Sequence, residues 1–231
     1  MRHRFLDTLL QRFFHLLYTD LAWSYDIVAW LASMGQWRTW IGLADIGWGT
    51  GRLLEIGHGP GHLLADMASR GYAITGLDPS PQMTRMASRR LRFRGVAGQI
   101  VGGRSQALPF ASRTFDFLLF VTVLSFLQDP PRALQEARRV LRPRGHLVIG
   151  MIDRTSHLGR SYEAKKSSNK FYRRAHFCST TEALELLKGA GFSPFRICQT
   201  VFRDPTDAKG PEPVKEGHGE GGFVAISARK A

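Results

Sequence analysis

Cysteine is nearly absent: Cys178 and Cys198 are the 2 in the chain, and they stand twenty positions apart without companions. That excludes a disulfide framework and a thiolate zinc site, and it leaves both thiols as inert side chains. Acidic residues are scarce too, with 19 Asp and Glu against 32 Lys and Arg, a formal net charge of +13. No stretch reaches the roughly eighteen consecutive apolar residues that a membrane-spanning helix needs. Met1-Arg2-His3-Arg4 is basic, but aromatic and charged residues interrupt the next stretch, so the start does not read as a secretory signal. A cytoplasmic location is the expectation. The arginines are scattered from Arg2 to Arg229, with no run of five like charges. A solvated surface, contact with an anionic membrane and contact with nucleic acid all stand as readings of this charge.

What is present is enough for a fold. Hydrophobic residues make up 43% of 231, which argues against disorder and supports one domain with a sizeable core. The most informative stretch is Leu53-Leu54-Glu55-Ile56-Gly57-His58-Gly59-Pro60-Gly61, where an apolar run meets a carboxylate and then three alternating glycines. A strand feeding such a turn, with a helix starting near Gly61, lets a ligand lie against bare backbone at a helix N-terminus. The spacing excludes a dinucleotide fingerprint, whose third glycine falls where this chain has His62. Glu55 would also repel a pyrophosphate. A nucleoside without phosphates, of cationic character, suits the run better.

From Leu53 onward short apolar runs alternate with helical patterns, which predicts a largely parallel sheet with crossover helices. Strands are expected over 52–57, 72–77, 98–102, 115–121 and 146–152, and helices over 61–70, 81–92 and 130–142. Ser179-Thr180-Thr181-Glu182 reads as a capping box, and the runs 192–202 and 222–229 read as an antiparallel pair. Residues 1–45 carry Phe5, Leu6, Leu9, Leu10, Phe13 and Phe14 at helical spacing. A helical cap on the remaining unit, 46–231, is one reading of them, and peripheral membrane contact is another.

With these motifs in order, the chain resembles a class I S-adenosylmethionine-dependent methyltransferase of the group that includes the ubiquinone and menaquinone C-methyltransferases. Glu55 to Gly61 looks like the first motif, and Gly76-Leu77-Asp78-Pro79-Ser80 like the second. Ala107-Leu108-Pro109-Phe110 with Phe115-Asp116 is similar to the third, and Arg139-Val140-Leu141-Arg142-Pro143 to the turn before strand five. The resemblance implies a Rossmann-like α/β fold, a seven-stranded mostly parallel sheet with an antiparallel last strand. It implies S-adenosyl-L-methionine as cofactor and a small-molecule methyl acceptor. Gly57, His58, Gly59 and Gly61 would line the methionine part, and Glu55 would reach its ammonium directly or through water. Asp78, twenty-one residues after Gly57, would accept the ribose hydroxyls beside Pro79, and Met83 would flank adenine. A helix N-cap is the bland reading of Asp78.

There are departures. Relatives often carry an acid three residues before the Ala-Leu-Pro-Phe run; here that place is Arg104, which accepts no hydrogen bond. Ser105, Gln106 and the Ala107 amide are the substitutes for holding adenine. The stretch expected to face the methyl, Phe120-Val121-Thr122-Val123-Leu124-Ser125-Phe126, includes Val121 as a cofactor contact and lacks the Asn-Pro-Pro-Tyr of amide and adenine N-methyltransferases. Its apolar character favours a lipophilic or aromatic acceptor, methylated at carbon or oxygen. No residue stands out as catalytic; Tyr25, Ser125 and His176 are the candidates, with His157 and His218 as further bases and Ser125 equally readable as a helix cap. Walls are expected from Trp23, Tyr25, Asp26, Trp37 and residues 153–177, within which the charged stretch 160–174 reads as a lid or a solvated insertion. No metal site is expected. An RNA methyltransferase and a non-catalytic cofactor-binding scaffold remain as alternatives.

Overall fold

The computed structural model describes residues 50–167, 173, 175–203 and 212–231. The cap expected over 1–45, with Tyr25, lies outside them. Five strands run parallel: β1 (Arg52–Ile56), β2 (Ala73–Asp78), β3 (Gln99–Gly102), β4 (Phe115–Val121) and β5 (Leu141–Ile152). Between them lie α1 (His62–Ser69), α2 (Pro81–Phe93) and α3 (Pro130–Val140). Then come α4 (His157–Ala164), α5 (Thr180–Gly189), β6 (Phe192–Thr200), β7 (Lys215–Glu216) and β8 (Phe223–Lys230). The sheet order is β3-β2-β1-β4-β5-β8-β6-β7, with β8 antiparallel to both β5 and β6.

The expected fold is therefore present, with one strand more than seven. The extra one is β7, two residues of the 203–221 connection that pair with Cys198 and Gln199 at the sheet edge. The helix after β4 ends at Val140, two residues earlier than expected, because Leu141 is already extended and pairs with Phe115. Pro143 and Gly145 then sit in a register shift of β5 rather than at a helix end. Helix α4 carries no sequence signal: only Leu158 and Gly159 are buried on it, too few to show a period. Ser156 caps it, accepting from the Gly159 amide at 3.0 Å.

Central strands buried on both faces need continuous apolar runs, and Leu53 to Ile56 supply one. Leu54, Ile56, Phe120 and Ile149 pack against Leu134 and Ala137 of α3 and Leu187 of α5. Leu53 and Leu119 face Leu64 and Met67 of α1 and Leu91 of α2 on the other side. Helix starts are capped as the sequence indicates. Asp129 accepts from Arg132 N at 3.0 Å ahead of Pro130, and Ser179 with Glu182 forms the full capping box. Cys178 and Cys198 are both free, and burial pushes the Cys178 thiol up to about 11.

One polar clamp ties two of the motifs together. Glu136 accepts the Leu108 amide at 2.9 Å and both Nε and Nη2 of Arg139 at 2.8 Å. Arg139 in turn donates to the carbonyls of Leu108 at 3.0 Å and Phe110 at 2.7 Å. The Ala-Leu-Pro-Phe run is thus held to α3 by a pair of side chains one turn apart. Hydrogen bonding to Arg139 holds the Glu136 carboxyl below the usual 4.5. A depressed carboxyl stabilises the fold above its unfolded value, and the benefit is lost as pH falls through the folded one. Glu136→Gln should cost about 2 kcal/mol at neutral pH. In urea titrations it should also weaken the loss of stability on acidification below pH 4.5.

Candidate active site

The turn after β1 has space for backbone and little else. Gly57 donates to the Leu77 carbonyl at 2.7 Å, joining the turn to the end of β2. A Cβ on Gly57 would lie 2.4 Å from Val123 Cγ2, and one on Gly61 would lie 2.7 Å from Ala87 Cβ of α2. Gly59 differs: at φ +52 its Cβ position meets nothing within 4 Å among the described residues. Of the three glycines expected to make way for a ligand, two make way for the protein's own side chains, and Gly59 alone faces free space.

Asp78 stands at that space. Its Oδ2 accepts the Gly59 amide at 3.0 Å and its Oδ1 accepts the Ser80 amide at 2.8 Å. It is not the cap of α2, since Ser80 takes that place and accepts from Met83 N at 3.4 Å. Each carboxylate oxygen keeps a lone pair for a further donor. Pro79 is exposed beside it and Met83 is half-buried.

Two polar atoms at the end of β1 and in the turn are buried without a partner among the described residues, Glu55 Oε2 and His58 Nε2. His58 Nδ1 lies 2.6 Å from the Gly59 carbonyl. A carbonyl only accepts, so Nδ1 carries the proton and Nε2 the lone pair. Burial lowers the His58 pKa, although Asp78 opposes the shift, and the ring stays neutral at pH 7. Burial raises the Glu55 carboxyl well above 4.5, the Asp78 charge adds to this, and the Leu64 amide of α1 partly offsets it. Orphaned acceptors are rare in a folded interior and mark a place for a donor. His58 fits only because position 76 is glycine, where a Cβ would come within 2.7 Å of its Cδ2.

The adenine end is less prepared. Arg104 is turned to Gln128 Oε1 at 3.3 Å, and Ser105 Oγ donates to Gln106 Oε1 at 3.2 Å. The Ala107 amide closes a turn on the Arg104 carbonyl at 3.2 Å and is not free, which leaves the Gln106 side chain as the adjustable group. After β4, Val121 is half-buried and Thr122 sits at φ +57 with its amide on the Gly150 carbonyl at 2.7 Å. A β-branched residue at positive φ is uncommon, and here it aims Val123 into the Gly57 notch. No sequence signal marks Thr122, whereas Gly76 is visible as part of the second motif without a reason attached.

Ser125 is not a cap: it lies inside a 3-10 turn, Leu124–Phe126, whose cap is Val123. Its carbonyl accepts the His176 amide at 2.6 Å, so two of the catalytic candidates are joined through backbone. His157 Nε2 lies 3.1 Å from the Arg203 carbonyl. His218 follows β7, five strands from β1, on the order of 24 Å at usual strand spacing, which removes it from this turn. Tyr25, Trp23, Asp26 and Trp37 lie outside the described residues. Among the described residues no group of His, Cys, Asp or Glu could hold a metal ion.

Gly59→Ala should cost about 1 kcal/mol of folding stability, from positive φ alone. Gly61→Ala should cost about 1–3 kcal/mol more, because Ala87 cannot yield without moving α2. Chemical denaturation of the two variants side by side checks the difference.

Comparison with known proteins agrees with this geometry. A family model described as a methyltransferase domain matches residues 54–149. An uncharacterised protein of Methanocaldococcus jannaschii is 42% identical over 181 residues, 78% of this chain and 82% of that one. The demethylmenaquinone methyltransferase of Renibacterium salmoninarum is 32% identical over 136 residues, 58% of this chain and 56% of its own. Among solved structures, a SAM-dependent methyltransferase of Thermotoga maritima, described as a possible histamine N-methyltransferase, is 37% identical with a TM-score of 0.78. That match covers 90% of this chain and 96% of the other.

Proposed function

Since the chain belongs to the class I S-adenosylmethionine-dependent methyltransferases, we propose that it methylates a small, planar, apolar or aromatic acceptor. The cofactor supplies a methyl group already activated on a sulfonium, so the protein's task is alignment in a shielded site. The observation that supports the reading best is Asp78, held by the Gly59 and Ser80 amides beside the open face of Gly59. There it would take the two ribose hydroxyls without reorienting. Glu55 and His58 offer unsatisfied acceptors for the ammonium, and Met83 a soft flank for adenine.

The acceptor half rests on the residues after β4. Val121 and Val123 are half-buried apolar side chains there, and Phe126 is 36% exposed next to Ser125. The names of two relatives point to ring-bearing acceptors, demethylmenaquinone in one and, as a possible substrate, histamine in the other, which supports a small ring-containing acceptor. A carbon or oxygen nucleophile remains our assignment. His176, exposed and tied by its amide to Ser125, is the described candidate for a base. Tyr25 is the candidate for closing the methionine end.

Titration calorimetry with S-adenosylmethionine, S-adenosylhomocysteine and NADH tests the cofactor half. Binding of the first two only is expected, weakened roughly 10- to 100-fold in Asp78→Asn, which loses charge-assisted hydrogen bonds but keeps an acceptor for Gly59. Binding of NADH alone would overturn the reading. Glu55 adds a pH signature. A protonated carboxyl must release its proton to meet an ammonium, so affinity should rise as pH climbs through the elevated Glu55 value. Glu55→Gln should be flat over that range; an equally steep profile in the variant would remove Glu55 from the ammonium site.

A further inference from the structure

The parallel strands give the sheet two unlike ends. The glycine turn follows the last residue of β1, whereas Arg113 precedes the first residue of β4, and the two strands are parallel. Arg113 therefore lies at the end remote from Asp78. The bulged start of β5 is at that end as well, and so is the end of β8, where Arg229 pairs with His146. A cavity of about 360 Å³ opens there, lined by Arg113, Arg138, Pro143, Arg144, Lys230 and Ala231.

Four of those six residues are cations, and no carboxylate side chain pairs with any of them among the described residues. The nearby acids are committed elsewhere: Asp116 to Arg142 at 2.7 Å and Glu136 to Arg139 at 2.8 Å. The cations are positioned by backbone. Arg138 donates to the Gly191 carbonyl at 3.3 Å and to a main-chain carboxylate oxygen of Ala231 at 3.2 Å, which leaves Arg113, Arg144 and Lys230 without an anionic partner among the described residues, and Lys230 Nζ donates to the Leu141 carbonyl at 2.6 Å. Gly191 sits at φ +79, and a Cβ there would lie 2.8 Å from Arg138 Nε. Arg113 and Arg144 both adopt positive φ, +58 and +61, an unfavourable conformation for a residue with a Cβ. The three arginines are solvent-exposed, and all of them line one concavity together with Lys230. Burial lowers the Lys230 pKa, and the charges of Arg138 and Arg113 lower it further, which shows repulsion that an anion would relieve.

We infer that this cavity is a second ligand site, for a small phosphorylated anion of the diphosphate or phosphomonoester class. Arginine forks match phosphate oxygens two at a time, and a compact cluster suits a compact anion. A nucleic-acid track would need the charge to continue outward. Around the cavity Arg139, Arg142 and Lys188 are each neutralised by a carboxylate, which interrupts such a track on these sides. The site stands apart from the methyl-transfer end and does not depend on the acceptor assignment.

The test is calorimetric titration of the full chain with pyrophosphate at low ionic strength. Three forms are compared: the native chain, Arg113→Asn/Arg144→Asn, and a control of equal charge change on α2, Arg89→Gln/Arg92→Gln. Asparagine tolerates the left-handed conformation and removes the charge. Saturable one-to-one binding is expected, weakened tenfold or more in the cavity variant and less than twofold in the control, with S-adenosylmethionine binding equal in all three. Arg144→Gln alone should weaken it at least threefold, which keeps the test decisive if the double variant folds poorly. Equal weakening in both double variants would reduce the effect to net charge and overturn the site. So would the absence of saturable pyrophosphate binding. So, too, would tight binding of a single-stranded RNA 12-mer that is lost in the cavity variant while pyrophosphate does not bind, which would assign the cavity to a polymer.

Discussion

Everything at the cofactor end depends on a turn into which no side chain fits. Between Ile56 and His62 the backbone is pressed by Val123 on one side and Ala87 on the other. These contacts come from the segment after β4 and from α2, so three separate parts of the chain meet on a strip of bare backbone. Close packing of this kind is stiff, because interiors transmit displacement instead of absorbing it. The Gly59 amide and the Asp78 carboxylate are consequently fixed relative to one another before any ligand arrives. Preorganised hydrogen-bonding groups lose little on binding, which suits a site whose chemistry is mainly alignment.

The cost of that rigidity falls on Glu55 and His58. Both are buried with an unsatisfied atom, and both are pushed toward their neutral forms. A structure selected for stability alone would have apolar groups there, since an unpaired buried polar atom is unfavourable by about 1–3 kcal/mol. Their presence is intelligible if a donor-bearing ligand completes them.

The ordered motifs made much of this legible. Leu53 to Gly61 announces strand, turn and helix by composition, and Ser179 to Glu182 announces a helix start by capping chemistry, whereas the Asp129 cap of α3 is a structural finding. What stayed hidden was mostly tertiary. The reason for Gly57 lies in Val123, sixty-six positions away, and the reason for Gly76 lies in Leu64 and His58. Neither local propensity nor periodicity carries such pairings. Helix α4 escaped because it buries two residues, and β7 because two residues cannot display an alternation. Asp78 and Ser125 were readable as caps from sequence; their neighbours Ser80 and Val123 hold those positions instead.

The two ends of the parallel sheet also differ electrically. One gathers Glu55 and Asp78 around a neutral imidazole, and the other gathers four cations with no opposing acid side chain among the described residues. At physiological salt a charge is felt over roughly 8 Å, a fraction of the molecule's span. The excess of positive charge across the chain is therefore largely screened from the turn, where Arg90 bonds the Pro60 carbonyl and the Asp78 carboxylate supplies the opposing charge. The protein behaves as two local electrodes of opposite sign on one scaffold. A cation and an anion can each find its own end without competing for the other's.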